Sequence, residues 1–111
     1  MAISNIGFVN EGSVGYLTVK FYDKSNNLAA PASATWEVHD RESGSILLAA
    51  TPIAPIANTV ELTLTPAINT FIDSNNDEET RRVTIKATWG VGSTTNAEVD
   101  YDIRDLSWVV G

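Results

Sequence analysis

Asp73, Asn75 and Asp77 set oxygen ligands at alternate positions, the way a calcium loop opens. The match then fails. The sixth position of the run is Glu78, where the sharp turn needs glycine. The twelfth is Thr84, where a bidentate glutamate closes the site. The stretch 73–79 therefore reads as a solvated acidic turn, with Asp73, Asn75 and Asp77 retained only as a weak calcium candidate. His39 is the single histidine. A serine triad needs a histidine base oriented by a carboxylate with a serine in reach. Nothing around Ser33, Ser43 or Ser45 has the form of a nucleophile elbow, so His39 reads as a surface residue.

Glu98, Asp100 and Asp102 alternate along one segment. Glycoside hydrolysis needs two carboxyl groups opposed across a cleft. Alternate residues of a strand instead stand side by side on one face, where Lys20, Lys86, Arg82 and Arg104 are available as cross-strand partners. Trp36, Trp89 and Trp108 could form a sugar-stacking platform, but Trp36 and Trp89 fall on the inward phase of their segments and are expected in the core. Trp108 is left as the interface tryptophan. Gly90-Val91-Gly92 lacks the third glycine and the following helix of a phosphate-binding loop, and reads as a turn. No catalytic residue and no cofactor is expected.

The elements that carry these residues are strands. Val83, Ile85, Ala87 and Trp89 alternate with Arg82, Thr84, Lys86 and Thr88. Beyond the glycine turn, Ala97, Val99, Tyr101 and Ile103 alternate with Glu98, Asp100, Asp102 and Arg104. Period-two patterning on both sides of a turn predicts an antiparallel hairpin over 79–103 with one buried face. Leu17, Val19 and Phe21 give the same signal over 13–22. Trp36 and Val38 give it over 34–40, followed by a return strand over 45–50. Val60, Leu62 and Leu64 give it over 59–64. Pro52 and Pro55 mark a crossover or an edge between them. Thr65 as a cap, Pro66 as a first helical residue, and Ile68, Phe71 and Ile72 at helical spacing predict one short helix over 66–72. About seven short strands separated by turns argue for an antiparallel β-sandwich.

The chain has 111 residues, 43% of them apolar, which suits a single domain spanning 1–111. Its net charge of −7 and the absence of a basic patch speak against nucleic acid as a partner. Without cysteine, thiol catalysis, zinc–thiolate sites and disulfides are excluded. No basic n-region precedes an apolar run at the start, and no stretch approaches the ~18 apolar residues of a membrane span, so neither signal peptide nor membrane anchor is expected. Residues 1–10, with Ile3, Ile6 and Phe8, read as a short edge strand or as an arm reaching a neighbour. Residues 106–111, with Trp108, Val109 and Val110, read as a last strand or a C-terminal arm. These six apolar residues are the interface candidates, because contiguous apolar surface is uncommon on soluble monomers.

With this pattern in place, Ala34-Thr35-Trp36-Glu37-Val38-His39-Asp40, Ser43-Gly44-Ser45-Ile46-Leu47, Val60-Glu61-Leu62-Thr63-Leu64-Thr65-Pro66, Glu79 with Arg81-Arg82-Val83-Thr84-Ile85-Lys86-Ala87, and Tyr101-Asp102-Ile103-Arg104-Asp105-Leu106 together span most of the chain beyond residue 13. In these stretches the chain resembles small β-sandwich proteins encoded by tailed bacteriophages. The resemblance implies an immunoglobulin-like sandwich, no enzymatic activity, and a place in the virion after assembly in the host cytoplasm. It implies the major capsid protein or other virion proteins as partners, in a symmetric array or homo-oligomer. Capsid decoration or cement is the leading role, with a neck, tail or baseplate piece behind it. An immunoglobulin-like cell-surface or carbohydrate-binding module is the alternative of a different class; it calls for an exposed aromatic platform.

Overall fold

The computed structural model describes residues 2–4, 6–73, 75–90 and 92–105. The chain is all-β. Its strands are β1 (Ala2–Ile3), β2 (Phe8–Asn10), β3 (Gly15–Lys20), β4 (Ser33–Asp40), β5 (Ile46–Pro52), β6 (Thr59–Leu64), β7 (Glu78–Gly90) and β8 (Ser93–Arg104). They form a three-stranded sheet ordered β1-β3-β6 and a five-stranded sheet ordered β2-β8-β7-β4-β5. All pairings are antiparallel except that of β2 with β8.

The expected long hairpin is the spine of the larger sheet. Its register pairs Val83 with Val99, Ile85 with Ala97 and Arg81 with Tyr101, so one phase of each strand faces inward. Gly92, at φ 75°, turns the chain between β7 and β8 in the left-handed region that glycine enters without steric cost. Leu17 and Val19 of β3 and Leu62 and Leu64 of β6 meet Val38, Val83, Ile85, Tyr101 and Ile103 from the other sheet in one core. Burying each such side chain contributes roughly 1.5–3 kcal/mol. Gly15 is held to glycine by close packing: a Cβ there would stand 2.9 Å from Cγ1 of Val9 and 3.4 Å from Cδ1 of Leu64.

No helix forms among the described residues, which corrects the expectation over 66–72. Residues 66–69 make a single turn, in which the Asn69 N–H is shared between the carbonyls of Thr65 at 3.2 Å and Pro66 at 3.1 Å. The Thr70 N–H donates to the Ala67 carbonyl at 3.4 Å, and the N–H groups from Phe71 to Asp73 are taken by carboxylates. Glu11 Oε2 accepts from Phe71 at 2.9 Å, and Glu79 accepts from Ile72 at 3.0 Å and from Asp73 at 3.1 Å. These are charge-assisted bonds, stronger than the neutral ladder bonds that would have continued a helix.

Candidate functional site

The inward phase of β7 carries two charged residues before it reaches the apolar ones. Glu79 and Arg81 are both buried, and the Arg81 side chain is 0% exposed. A buried guanidinium is stable only when its donors are satisfied. Arg81 Nη1 stands 2.8 Å from Asp40 Oδ1 and 2.8 Å from Glu79 Oε1. Its Nε donates to the Ile68 carbonyl and its Nη2 to the Thr70 carbonyl. Asp40 Oδ2 in turn accepts from the N–H and hydroxyl of Ser43, so the β4–β5 turn joins the same cluster. Burial alone would raise the Glu79 carboxyl. The N–H groups of Ile72 and Asp73, with Asn76 and Arg81, outweigh it and hold that carboxyl below its usual value.

A second buried group lies beside the first. Asn69 Nδ2 donates to the carbonyls of Ser13 and Leu64, and Asn69 Oδ1 accepts from the Tyr101 hydroxyl at 2.7 Å. Burial pushes the Tyr101 phenol up, with the Arg81 charge opposing it. Together these groups fasten residues 64–73 across the end of both sheets. Each is engaged by protein partners, so the cluster holds the fold.

The acidic strand residues behave as cross-strand partners. Arg82 grips Asp100 with two bonds, at 2.8 and 3.2 Å, and Arg41 approaches Asp100 at 3.1 Å. The Arg82 hydrogen bond leads in holding Asp100 below the usual carboxylate range, against its partial burial. Arg104 lies 2.9 Å from Glu78 and 3.6 Å from Asp102. His39, Glu37, Thr84, Lys86 and Glu98 line one shallow polar depression on the outer face of the larger sheet. The Thr84 hydroxyl there makes no hydrogen bond among the described residues.

Asp73 Oδ1 accepts the Asn75 N–H at 2.9 Å, an aspartate turn. Among the described residues no three His, Cys, Asp or Glu side chains gather around a point where a cation could sit. Of the interface candidates, Ile3 and Ile6 pack against the chain's own core. Phe8 is 45% exposed, with the Arg104 guanidinium 4.4 Å above its ring. Trp108, Val109 and Val110 lie outside the described residues.

The tryptophans depart from expectation. Trp36 and Trp89 keep the inward phase and pack against the core, but both are only half-buried. For Trp36 the cause is the unequal width of the sheets, since three strands cannot cover five; Trp89 stands at the hairpin tip, where the register slips. Trp36 opens into a groove of about 410 Å³ between the crossover, with Pro52, Ile53 and Pro55, and residues 59–63 of β6. Beyond β6 the small sheet has no further strand among the described residues. Trp89 opens into a cleft of about 400 Å³ at the tip of the long hairpin. Strand alternation reports which way a side chain points, and neither groove could be read from it. No family model, curated protein or solved structure matches the chain.

Proposed function

We propose that this chain is a non-enzymatic structural protein of a tailed-phage virion, a decoration or cement protein seated on the outer capsid shell. The observation that carries the reading is the open edge of β6 above the Trp36 groove. An unpaired strand edge beside an apolar groove is the arrangement to which an extended segment adds as a further strand. The occupant proposed is an extended, basic and apolar segment of the capsid protein. Glu61 sits at the centre of β6 and the chain carries −7 overall. A second copy of the same edge would bring glutamate towards glutamate, whereas a basic segment complements it.

Three further features support the reading. The strand order β1-β3-β6 and β2-β8-β7-β4-β5, with β2 parallel to β8, supports reading the two sheets as an immunoglobulin-like sandwich. The buried charged groups Asp40, Glu79 and Arg81 are taken up by one another and by backbone groups, which suits a non-enzymatic part. The resemblance in strand pattern to small sandwich proteins of tailed phages is what points the reading to a virion. A neck, tail or baseplate position would use the same edge at a lower copy number.

The test is sedimentation of the purified chain with shells that lack it. The wild type is expected to co-sediment to saturation. Glu61→Lys, on an exposed position, is expected to weaken attachment by about tenfold while leaving the melting temperature within a few degrees. No attachment by the wild type would overturn the virion reading. Equal attachment by the two would overturn the β6 edge.

A further inference from the structure

The cleft at the hairpin tip carries a second binding site. It is lined by Tyr22, Asp23 and Lys24 from the β3–β4 connection and by Trp89, Ser93 and Thr95 from the β7–β8 hairpin. We propose that it binds a neutral saccharide, stacked on Trp89 and Tyr22. The proposal goes beyond the capsid reading and does not rest on it, since the cleft shares no residue with the β6 groove.

The first support is the local backbone. Thr88 pairs with Thr94 and Gly90 with Ser93, so the register slips at Trp89. A bulge of this kind re-aims the side chain it carries and is common beside binding sites. The second is the fixing of the ring. Trp89 Nε1 donates to Thr95 Oγ1 at 3.1 Å, which sets the indole orientation before any ligand arrives. Because Thr95 accepts that bond, its own hydroxyl hydrogen stays available to a ligand oxygen.

The third support is the mixture of groups. Sugars present apolar C–H faces and a rim of hydroxyls, and so need aromatic faces with short polar side chains around them. Tyr22 and Trp89 supply the first; Ser93, Thr95, Asp23 and Lys24 supply the second. Asp23 Oδ1 is committed to the N–H groups of Ser25 and Asn27, at 2.9 and 3.0 Å. Its Oδ2 makes no hydrogen bond among the described residues and is available to accept from a sugar hydroxyl. The cleft volume of about 400 Å³ falls in the range of small-ligand sites. The net charge of −7 favours a neutral sugar over an anionic one.

The test is a titration of the ¹⁵N-labelled full chain, followed by NMR, with chitotetraose, maltohexaose and tetragalacturonate in parallel. At least one neutral oligosaccharide is expected to give saturable shifts confined to 22–24 and 89–95, with the Trp89 indole N–H among the largest. Trp89→Ala is expected to lower affinity by about tenfold or more. Thr95→Ala, at an exposed position, should lower it several-fold without altering the rest of the spectrum, so loss of binding is separable from loss of fold. The site is overturned if neither neutral sugar gives saturable shifts at millimolar concentration. It is also overturned if the shifts fall elsewhere, if Thr95→Ala binds as the wild type does, or if only the galacturonate binds.

Discussion

Arg81 Nη1 and Asp40 Oδ1 form an ion pair 2.8 Å long in which the arginine side chain is fully buried and the aspartate nearly so. The pair ties the start of β7 to the end of β4, and its remaining donors tie both to the carbonyls of Ile68 and Thr70. A polar cluster thus does at this end what apolar contacts do in the middle of the sandwich.

Arg81→Met is expected to destabilise the domain by roughly 3–5 kcal/mol, because Asp40 and Glu79 would be left buried without their cation. Asp40→Asn should cost less, since an amide oxygen still accepts from the guanidinium. Urea unfolding of the three proteins checks the order. A loss below about 1 kcal/mol for Arg81→Met would contradict the cluster's structural role.

Acid should weaken the fold through Glu79. Its carboxyl is held below the ordinary value in the folded chain. The stability it contributes is therefore complete above the unfolded value, roughly 4.3, and is lost as pH falls through the lower folded value. Asp100, also lowered, acts in the same direction. Melting temperatures from pH 7 down to pH 3 are expected to fall for the wild type. Glu79→Gln should start lower and fall less steeply. Parallel curves would show that Glu79 does not drive the acid transition.

Tyr101→Phe removes the donor to Asn69 Oδ1 and leaves that buried oxygen unpaired. The expected cost is about 1–3 kcal/mol. Amide exchange should quicken at Asn69 and Gly12, whose N–H donates to the Asn69 carbonyl. Exchange that quickens evenly across the whole chain would argue against a local fastening of the turn.

Trp36→Ala should destabilise by less than the roughly 3–5 kcal/mol of a fully buried tryptophan, because the ring is partly open to the β6 groove. Thermal unfolding measures it. A loss at or above that range would place the ring in the closed core.

Much of this was legible in the residues. Alternation located β3, β4, β6, β7 and β8 and chose their inward faces. The same phase, carried back from Val83, reaches Arg81 and Glu79, and two charges on a buried phase were the available sign of the polar cluster. The turn at 66–69 was not legible as a turn. Its local signals favour a helix, and the carboxylates that stop one are Glu11, sixty residues away, and Glu79, which reaches back from the next strand. The parallel pairing of β2 with β8 was hidden for a similar reason: three residues, Phe8–Asn10, are too few to show a period. The half-exposure of Trp36 depends on how many strands each sheet holds, and that of Trp89 on the slipped register at the hairpin tip, which no single strand records.

The most direct measurement of the proposed role is quantitative mass spectrometry of virus particles purified from the source of this chain. A shell-decorating role predicts copies in the hundreds per particle. A dozen or fewer would move the chain to the neck, tail or baseplate. Absence from the particle would contradict the virion assignment and leave the saccharide site as the chain's leading function.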